Sequence, residues 1–253
     1  MIETLLLKAT GITKLYGGLA ANQDVNLELH RGQLHALLGP NGAGKSTCIN
    51  MLSGDAVPTS GTIDFLGKNI TNLNAWQRSQ AGIGRSYQRT NIFPQFSVLE
   101  NVRLAAQSRN QNAAKIFLKA DKMQWAIDKA LCCIEEAGLK DRVNSIAGFM
   151  SHGEQRQLEI AMVLATDAQV LLLDEPLAGM GSEESENMVE VLKKLRQSKA
   201  ILLVEHDMDA VFAVADVITV MVNGQVLESG SPSQIKNSVA VQEAYLGEGA
   251  HHV

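Results

Sequence analysis

Apolar and polar positions change period several times along the chain. Leu5 to Lys8, Val25 to Leu29 and Gln33 to Leu38 read as short β-segments, the first two flanking a Gly17-Gly18 turn. A glycine-rich loop follows, then a helix from about Lys45 to Ser53. Thr62 to Leu66 is another short strand, and residues 98–140 are expected to be helical, with Gly138 as a C-cap. Ser151 to Ala165 predicts a further helix, followed by strand 170–174, helix 182–196 and strand 200–205. Within 182–196, Met188, Val191, Leu192 and Leu195 fall on one helical face. Val217 to Val222 and Gln225 to Glu228 flank Asn223-Gly224, a pair suited to the positive φ angles of a two-residue hairpin turn. Ser231-Pro232 reads as N-cap and N1 of a last helical region. Strands alternating with helices imply an α/β core with a parallel sheet. The helical stretch from about 89 to 155 interrupts that alternation and reads as an inserted lobe. The expected division is a core of 1–88 and 156–253 with a helical subdomain of 89–155.

Two motifs carry chemistry. Gly39-Pro40-Asn41-Gly42-Ala43-Gly44-Lys45-Ser46 matches G-x-x-x-x-G-K-[ST] in full. Its glycines let the backbone curl so that several N–H groups face one phosphate chain. Lys45 supplies a cation for the β- and γ-phosphates, and the Ser46 hydroxyl can ligate Mg²⁺. The helix that follows directs its positive end at the same anion. Thr47 is a further candidate contact, its alternative being helix packing. The second motif is the apolar run Val170 to Leu173 ending in Asp174-Glu175-Pro176. Alternation along a strand gives the two carboxylates different faces and different tasks. Asp174 fits a Mg²⁺ carboxylate of a P-loop nucleotidase and Glu175 a general base that polarises the attacking water.

Composition narrows the partners. The chain has 253 residues, 45% of them hydrophobic, enough for one large domain or a core with a smaller lobe. Its apolar runs are strand-sized, well short of the roughly 20 residues of a membrane helix. The start, Met1-Ile2-Glu3-Thr4, has no basic segment followed by an apolar stretch, so no signal peptide is expected. A formal net charge of −5 disfavours non-specific nucleic-acid binding, which rests on phosphate neutralisation by Lys and Arg. Cys48, Cys132 and Cys133 lack metal spacing and fit a reducing cytosol, and His251-His252 read as a frayed tail rather than a metal pair.

Four further segments, in order, resemble those of ATP-binding cassette ATPases, and the likeness spans nearly the whole chain. Tyr16, before Gly17-Gly18, resembles the aromatic that stacks on adenine. Gln88, in Ser86-Tyr87-Gln88-Arg89, looks like the glutamine that reaches Mg²⁺ and the water and links the core to the helical lobe. Met150-Ser151-His152-Gly153-Glu154-Gln155 looks like the family signature. His206, in Val204-Glu205-His206-Asp207, resembles the switch histidine that contacts the γ-phosphate. The resemblance implies a P-loop NTPase core with a parallel or mixed sheet, an N-terminal antiparallel β-subdomain and an inserted α-helical subdomain. It also implies ATP and Mg²⁺ as cofactors, with Ser151, Gly153 and Glu154 facing the γ-phosphate of ATP held by a second, head-to-tail ATPase subunit. Ser151-x-x-Glu154 is at the same time a capping box, which turns Glu154 back onto the Ser151 N–H. His152 stands where glycine is commonest in the signature, Glu154 where glutamine is, and Gly181 where the family usually has aspartate.

Tyr16-Gly17-Gly18-Leu19, Ser151 to Ile160, Glu175 to Met180, Glu205 to Met208 and Ala244-Tyr245-Leu246-Gly247 look closest to ATPases of branched-chain amino acid importers and their amide or urea relatives. That implies transmembrane permease subunits, a periplasmic substrate-binding protein, and a peripheral place on the cytoplasmic face of a bacterial inner membrane. Contact with the permease is expected near Arg89 to Val102, where Ile92, Phe93 and Phe96 combine internal packing with an apolar socket. The alternatives are the ATPase of a lipopolysaccharide or lipid exporter, or a cassette acting on nucleic acid or ribosomes. The last is disfavoured because no coiled-coil insertion separates Lys45 from Ser151 and there is only one cassette.

Overall fold

The computed structural model describes residues 4–88, 91–109, 124–206 and 208–246. The chain opens with β1 (Leu5–Tyr16) and β2 (Leu19–His30), then β3 (Leu34–Leu38) and helix α1 (Lys45–Ser53). Next come β4 (Ser60–Phe65), β5 (Lys68–Asn69), α2 (Ala75–Ala81) and β6 (Ile83–Arg85). Helices α3 (Val98–Gln107), α4 (Gln124–Glu136) and α5 (His152–Ala165) precede β7 (Val170–Asp174), α6 (Ser182–Leu195) and β8 (Ala200–Val204). The described chain ends with α7 (Met208–Val214), β9 (Val217–Val222), β10 (Gln225–Gly230), α8 (Pro232–Asn237) and α9 (Val239–Leu246).

Two sheets result. A four-stranded antiparallel sheet has the order β2-β1-β4-β5, and a six-stranded mixed sheet has the order β10-β9-β3-β8-β7-β6, parallel except for β10. Strands β3, β7 and β8 are buried along their whole length, as parallel strands covered on both faces must be. Period-two alternation divides their side chains between two cores. Leu171, Leu173, Ile201 and Leu203 join the helical side. Val170, Leu172, Ala200 and Leu202 join α1 and the antiparallel sheet. Buried residues of α3 and α4, such as Val102 and Ile134, belong to the same cluster as Leu171 and Leu173. The helical segment therefore shares its core with one face of the main sheet.

The antiparallel hairpin is longer than its apolar segments suggest. Lys14, Leu15 and Tyr16 continue the pairing with Asn22, Ala20 and Leu19, and register shifts at four places in β1–β2 hide the alternation. The expected helix over 98–140 is described as α3 and α4, with 110–123 outside the described residues, and it ends at Glu136. Gly138, at φ 80°, does close it: the Gly138 N–H donates to Glu135 O and that of Leu139 to Ile134 O. Asn223 and Gly224 take φ 48° and 79°, the turn expected between β9 and β10. Ser151 and Ser231 both cap helices through capping boxes.

Leu202→Ala in the central β8 removes a fully buried side chain. It is expected to lower stability by about 2–5 kcal/mol, read as a lower urea midpoint without nucleotide.

Candidate functional site

Three of the candidate loops leave the carboxyl ends of parallel strands, the edge where open α/β sheets bind ligands. The glycine loop follows β3, Asp174-Glu175 ends β7, and Glu205-His206 follows β8. Registers Leu37↔Val204 and Asp174↔Val204 bring the three ends level.

The loop is built by close backbone approach. Gly39, Gly42 and Gly44 have φ of 149°, 79° and 98°. A Cβ on Gly39 would lie 2.2 Å from Met221 O, and one on Gly44 2.5 Å from Ala21 O, so only glycine fits either position. Backbone bonds from Gly224 N–H to Ala43 O (3.0 Å) and from Gln23 N–H to Gly224 O (2.8 Å) tie the loop to the β9–β10 turn and to β2. Helix α1 has no side-chain cap and no acidic residue in its first turn, which leaves its N-terminal amides for an anion. Asn41 to Thr47, Gln88 and Glu175 line one cavity of about 450 Å³. Pro40 flanks it, and its carbonyl accepts from Lys45 Nζ at 3.0 Å; Gly39 O accepts from the same ammonium. Thr47 is half-buried on α1.

Asp174 is 3% exposed, and its Oδ1 has no hydrogen-bond partner. Its Oδ2 accepts from Arg85 Nη2 at 3.3 Å. Burial pushes the Asp174 carboxyl above its usual range, and Arg85 offsets part of that. Arg85 was not singled out from the sequence. Its Nη1 also reaches Asn50 Oδ1 (2.6 Å), Ser53 Oγ (2.9 Å) and Asp55 Oδ2 (2.8 Å), tying Asp174 to the far end of α1.

Glu175 is separated from Asp174 by a turn rather than by strand alternation alone. The strand stops at Asp174, and Glu175 takes φ 50°, a left-handed angle uncommon outside glycine. Glu175 N–H donates to Val204 O at 2.8 Å, and its carbonyl accepts from Ala178 N–H at 3.2 Å. This is strain held in place by neighbours, and it aims the carboxylate into the phosphate cavity. His206 is 65% exposed at its side chain, with Nδ1 4.0 Å from Glu175 Oε1. Glu205, which the sequence reading left without a role, is buried. Its Oε1 accepts from Leu177 N–H (2.8 Å) and its Oε2 from His206 N–H (3.2 Å). One carboxylate thus joins the loop after Glu175 to the histidine, and burial raises its pKa. Asp207 lies outside the described residues.

Gln88 stands three residues beyond the end of β6 rather than at the strand end, and it faces the same cavity. Tyr16 is exposed at the end of β1, with Lys14 Nζ 5.3 Å from its ring centroid. Leu19 to Ala21, just after it, line the phosphate cavity.

Ser151, Gly153 and Glu154 are placed elsewhere, in a second cavity of about 660 Å³ shared with Arg142 and Glu184. Glu154 Oε2 accepts from Ser151 N–H (3.0 Å) and Oε1 from Arg142 Nε (2.6 Å), so its carboxylate is turned onto the helix end and neutralised. A Cβ on Gly153 would lie 2.8 Å from Glu184 Cδ. Gly181 is the N-cap of α6. The phosphate loop and the serine-bearing helix end are therefore separate sites in one chain.

Near the expected docking segment, Ile92 packs against the core, while Phe93 and Phe96 are exposed and stacked at 5.4 Å. Phe149, 91% exposed, joins them through backbone bonds from Ala147 N–H to Phe96 O and from Gly148 N–H to Pro94 O. Arg89 lies outside the described residues.

Comparison with known proteins gives a consistent answer. Residues 22–178 match the family described as ABC transporter, and residues 225–251 the family described as branched-chain amino acid ATP-binding cassette transporter. The chain is 37% identical to the high-affinity branched-chain amino acid transport ATP-binding protein LivG of Escherichia coli K12, over 96% of this chain and 98% of that one. Among solved structures, it is similar to an ATP-binding cassette of an ABC transporter in its ADP conformation (TM-score 0.85, 27% identity, 96% and 99% covered). It is also similar to a dimeric ATP-binding cassette in a post-hydrolysis state with ADP and Pi (TM-score 0.75, 26% identity, 90% and 99% covered).

The raised pKa of Asp174 has a stability consequence with a definite sign. The folded chain binds this proton more readily than the unfolded chain, so stability falls as pH rises through the window above 3.8. Asp174→Asn is expected to raise the melting temperature of the nucleotide-free protein at pH 7, with Arg85 still paired to Asp55. The difference from wild type should shrink as the pH falls towards 4; a gain that is equal at both pH values contradicts the assignment.

Proposed function

The chain belongs to the ABC transporter family of ATP-binding proteins, and from that premise we propose that it is the ATP-hydrolysing subunit of a membrane importer for branched-chain or other hydrophobic amino acids. The observation that carries the mechanism is the separation of the two cavities. One chain offers a phosphate cradle with Lys45 and Glu175, and, in a different cavity, a helix end with Ser151 and Gly153. Two copies, or this chain and a related ATPase, packed head to tail would each complete the other's site. The dimeric cassette with ADP and Pi shows that a protein of this fold pairs.

In this reading the amides of Gly42 to Ser46 hold the phosphates. Lys45 exchanges its carbonyl partners for the β- and γ-phosphate oxygens. Mg²⁺, when bound, neutralises phosphate charge, and Ser46, Gln88 and Asp174 are the residues that would hold it. The unpartnered Asp174 Oδ1 fits such an ion. Among the described residues no three His, Cys, Asp or Glu side chains form a cluster for a resident metal. That suits Mg²⁺, which takes one or two carboxylates and completes its shell with phosphate and water. Glu175 polarises the attacking water, with His206 beside it contacting the γ-phosphate and Tyr16 stacking on the base. Ser151 and Gly153 face the γ-phosphate of the partner's ATP, with Glu154 at the same helix end.

No helix among the described residues is long and apolar enough to cross a membrane. The exposed Phe93, Phe96 and Phe149 are an apolar face suited to transmembrane permease subunits. In this reading the chain sits peripherally on the cytoplasmic face of the inner membrane, and a periplasmic binding protein supplies the cargo. The match of residues 225–251 to the branched-chain amino acid family supports that cargo class.

Glu175→Gln is expected to slow hydrolysis by about 10²–10⁴ while leaving ATP binding intact. In that variant, Mg-ATP should double the solution mass, and Ser151→Arg should abolish the doubling without weakening ATP binding to the monomer. Normal turnover of Glu175→Gln would sink its role, and a Ser151→Arg protein that still dimerises would sink the shared site.

A further inference from the structure

Helix α5 carries Ser151 at its N-cap and, further along, a buried ion pair that no step above uses. Arg156 and Glu159 are each 5% exposed, with Nη1 2.7 Å from Oε2. The Arg156 fork donates to two successive carbonyls, Tyr87 O (2.6 Å) and Gln88 O. Glu159 Oε1 accepts from Asn91 N–H at 2.6 Å. The pair therefore grips three backbone groups around Gln88. The three groups lie between the two flanking elements, since β6 ends at Arg85 and α3 begins at Val98.

Energetics argue that this grip serves more than stability. A buried ion pair is weak evidence for stability, and a well-packed apolar pair of similar volume often does as well or better. What an apolar pair cannot do is fix the position of peptide groups. A planar guanidinium bridging adjacent carbonyls sets direction as well as distance. Burial also raises the Glu159 pKa, against the pull of Asn91 N–H and Arg156, so the carboxylate depends on these partners to remain charged.

We propose that Arg156 and Glu159 are positioning residues that fix the Gln88 backbone to helix α5, so that the Gln88 amide enters the phosphate cavity in register with the Ser151 end of the same helix. The proposal rests on the reading of Gln88 as a ligand of the nucleotide site. Its consequence is geometric. The helix that presents Ser151 to one nucleotide also sets the glutamine beside the other, and a rigid shift of α5 moves both.

The test is single-turnover hydrolysis of Mg-ATP by Arg156→Lys, by Glu159→Gln and by the double variant Arg156→Met/Glu159→Leu, each alone and combined with Gln88→Ala. Lysine keeps the charge but cannot span both carbonyls, and the double variant keeps the volume should the single ones fail to fold. The rate is expected to fall about 10- to 100-fold, the scale of a misplacement near 1 Å, with ATP affinity unchanged. In the Gln88→Ala background the same variants should cost nothing further. Full-rate hydrolysis by a folded double variant overturns the proposal, as does a loss that multiplies with Gln88→Ala or one that tracks a fall in ATP affinity. Gln88→Ala with wild-type turnover would instead overturn the reading of Gln88 itself.

Discussion

Everything at this site depends on bringing backbone amides close enough together to hold a triphosphate. Side chains cannot do it, because several donors must converge on one anion within a single turn of chain. The loop after β3 meets the requirement by pressing its own backbone against two others. Gly39 lies against Met221 O and Gly44 against Ala21 O. Those contacts need β9 beside β3 and the antiparallel hairpin folded over α1, which is how the two sheets are arranged. The tertiary fold therefore defines the loop as much as the loop's own sequence does. A side chain at either glycine would push the cradle away from the elements that shape it.

The same dependence explains what could be read from the sequence. Contiguous features were legible: the glycine loop, the apolar strand ending in Asp174-Glu175, the Asn223-Gly224 turn and the serine caps. In each, the residues that interact are neighbours in the chain. Arg85, Glu205 and the Arg156–Glu159 pair were not legible as site components. Arg85 meets Asp174 across 89 residues, and Arg156 meets Gln88 across 68. No local pattern separates such a residue from an ordinary surface charge. Strand β1 was underestimated for a related reason. Its second half pairs through register shifts, with Thr13 and Lys14 half-buried and Leu15 and Tyr16 exposed, so the period of two never shows.

Glu175 shows where the local reading was incomplete. Alternation along β7 gave the two carboxylates different tasks, but the separation is made by the backbone at Glu175 itself, in a conformation glycine adopts more easily. Its N–H bond to Val204 O, and the Glu205 carboxylate across the loop at Leu177 N–H, hold the chain there. Glu175, the proposed general base, is thus positioned by the strand that leads into His206, so that the two groups expected beside the γ-phosphate share one support.

Buried charge is concentrated at this edge. Asp174, Glu205, Arg156 and Glu159 are all nearly inaccessible, and burial raises the pKa of each of the three acids. A chain selected for stability alone would fill these positions with apolar side chains. Asp174 and Glu205 stand where β7 and β8 end, and Arg156 and Glu159 hold the chain that follows β6. Asp174 has an oxygen with no partner, and Lys45 rests on carbonyls that are weaker acceptors than phosphate oxygens. On the proposed reading, phosphate oxygens would be the counter-charge for Lys45 and Mg²⁺ the one for the Asp174 oxygen that Arg85 leaves free. Binding energy can then be used to move helices as well as to hold ATP.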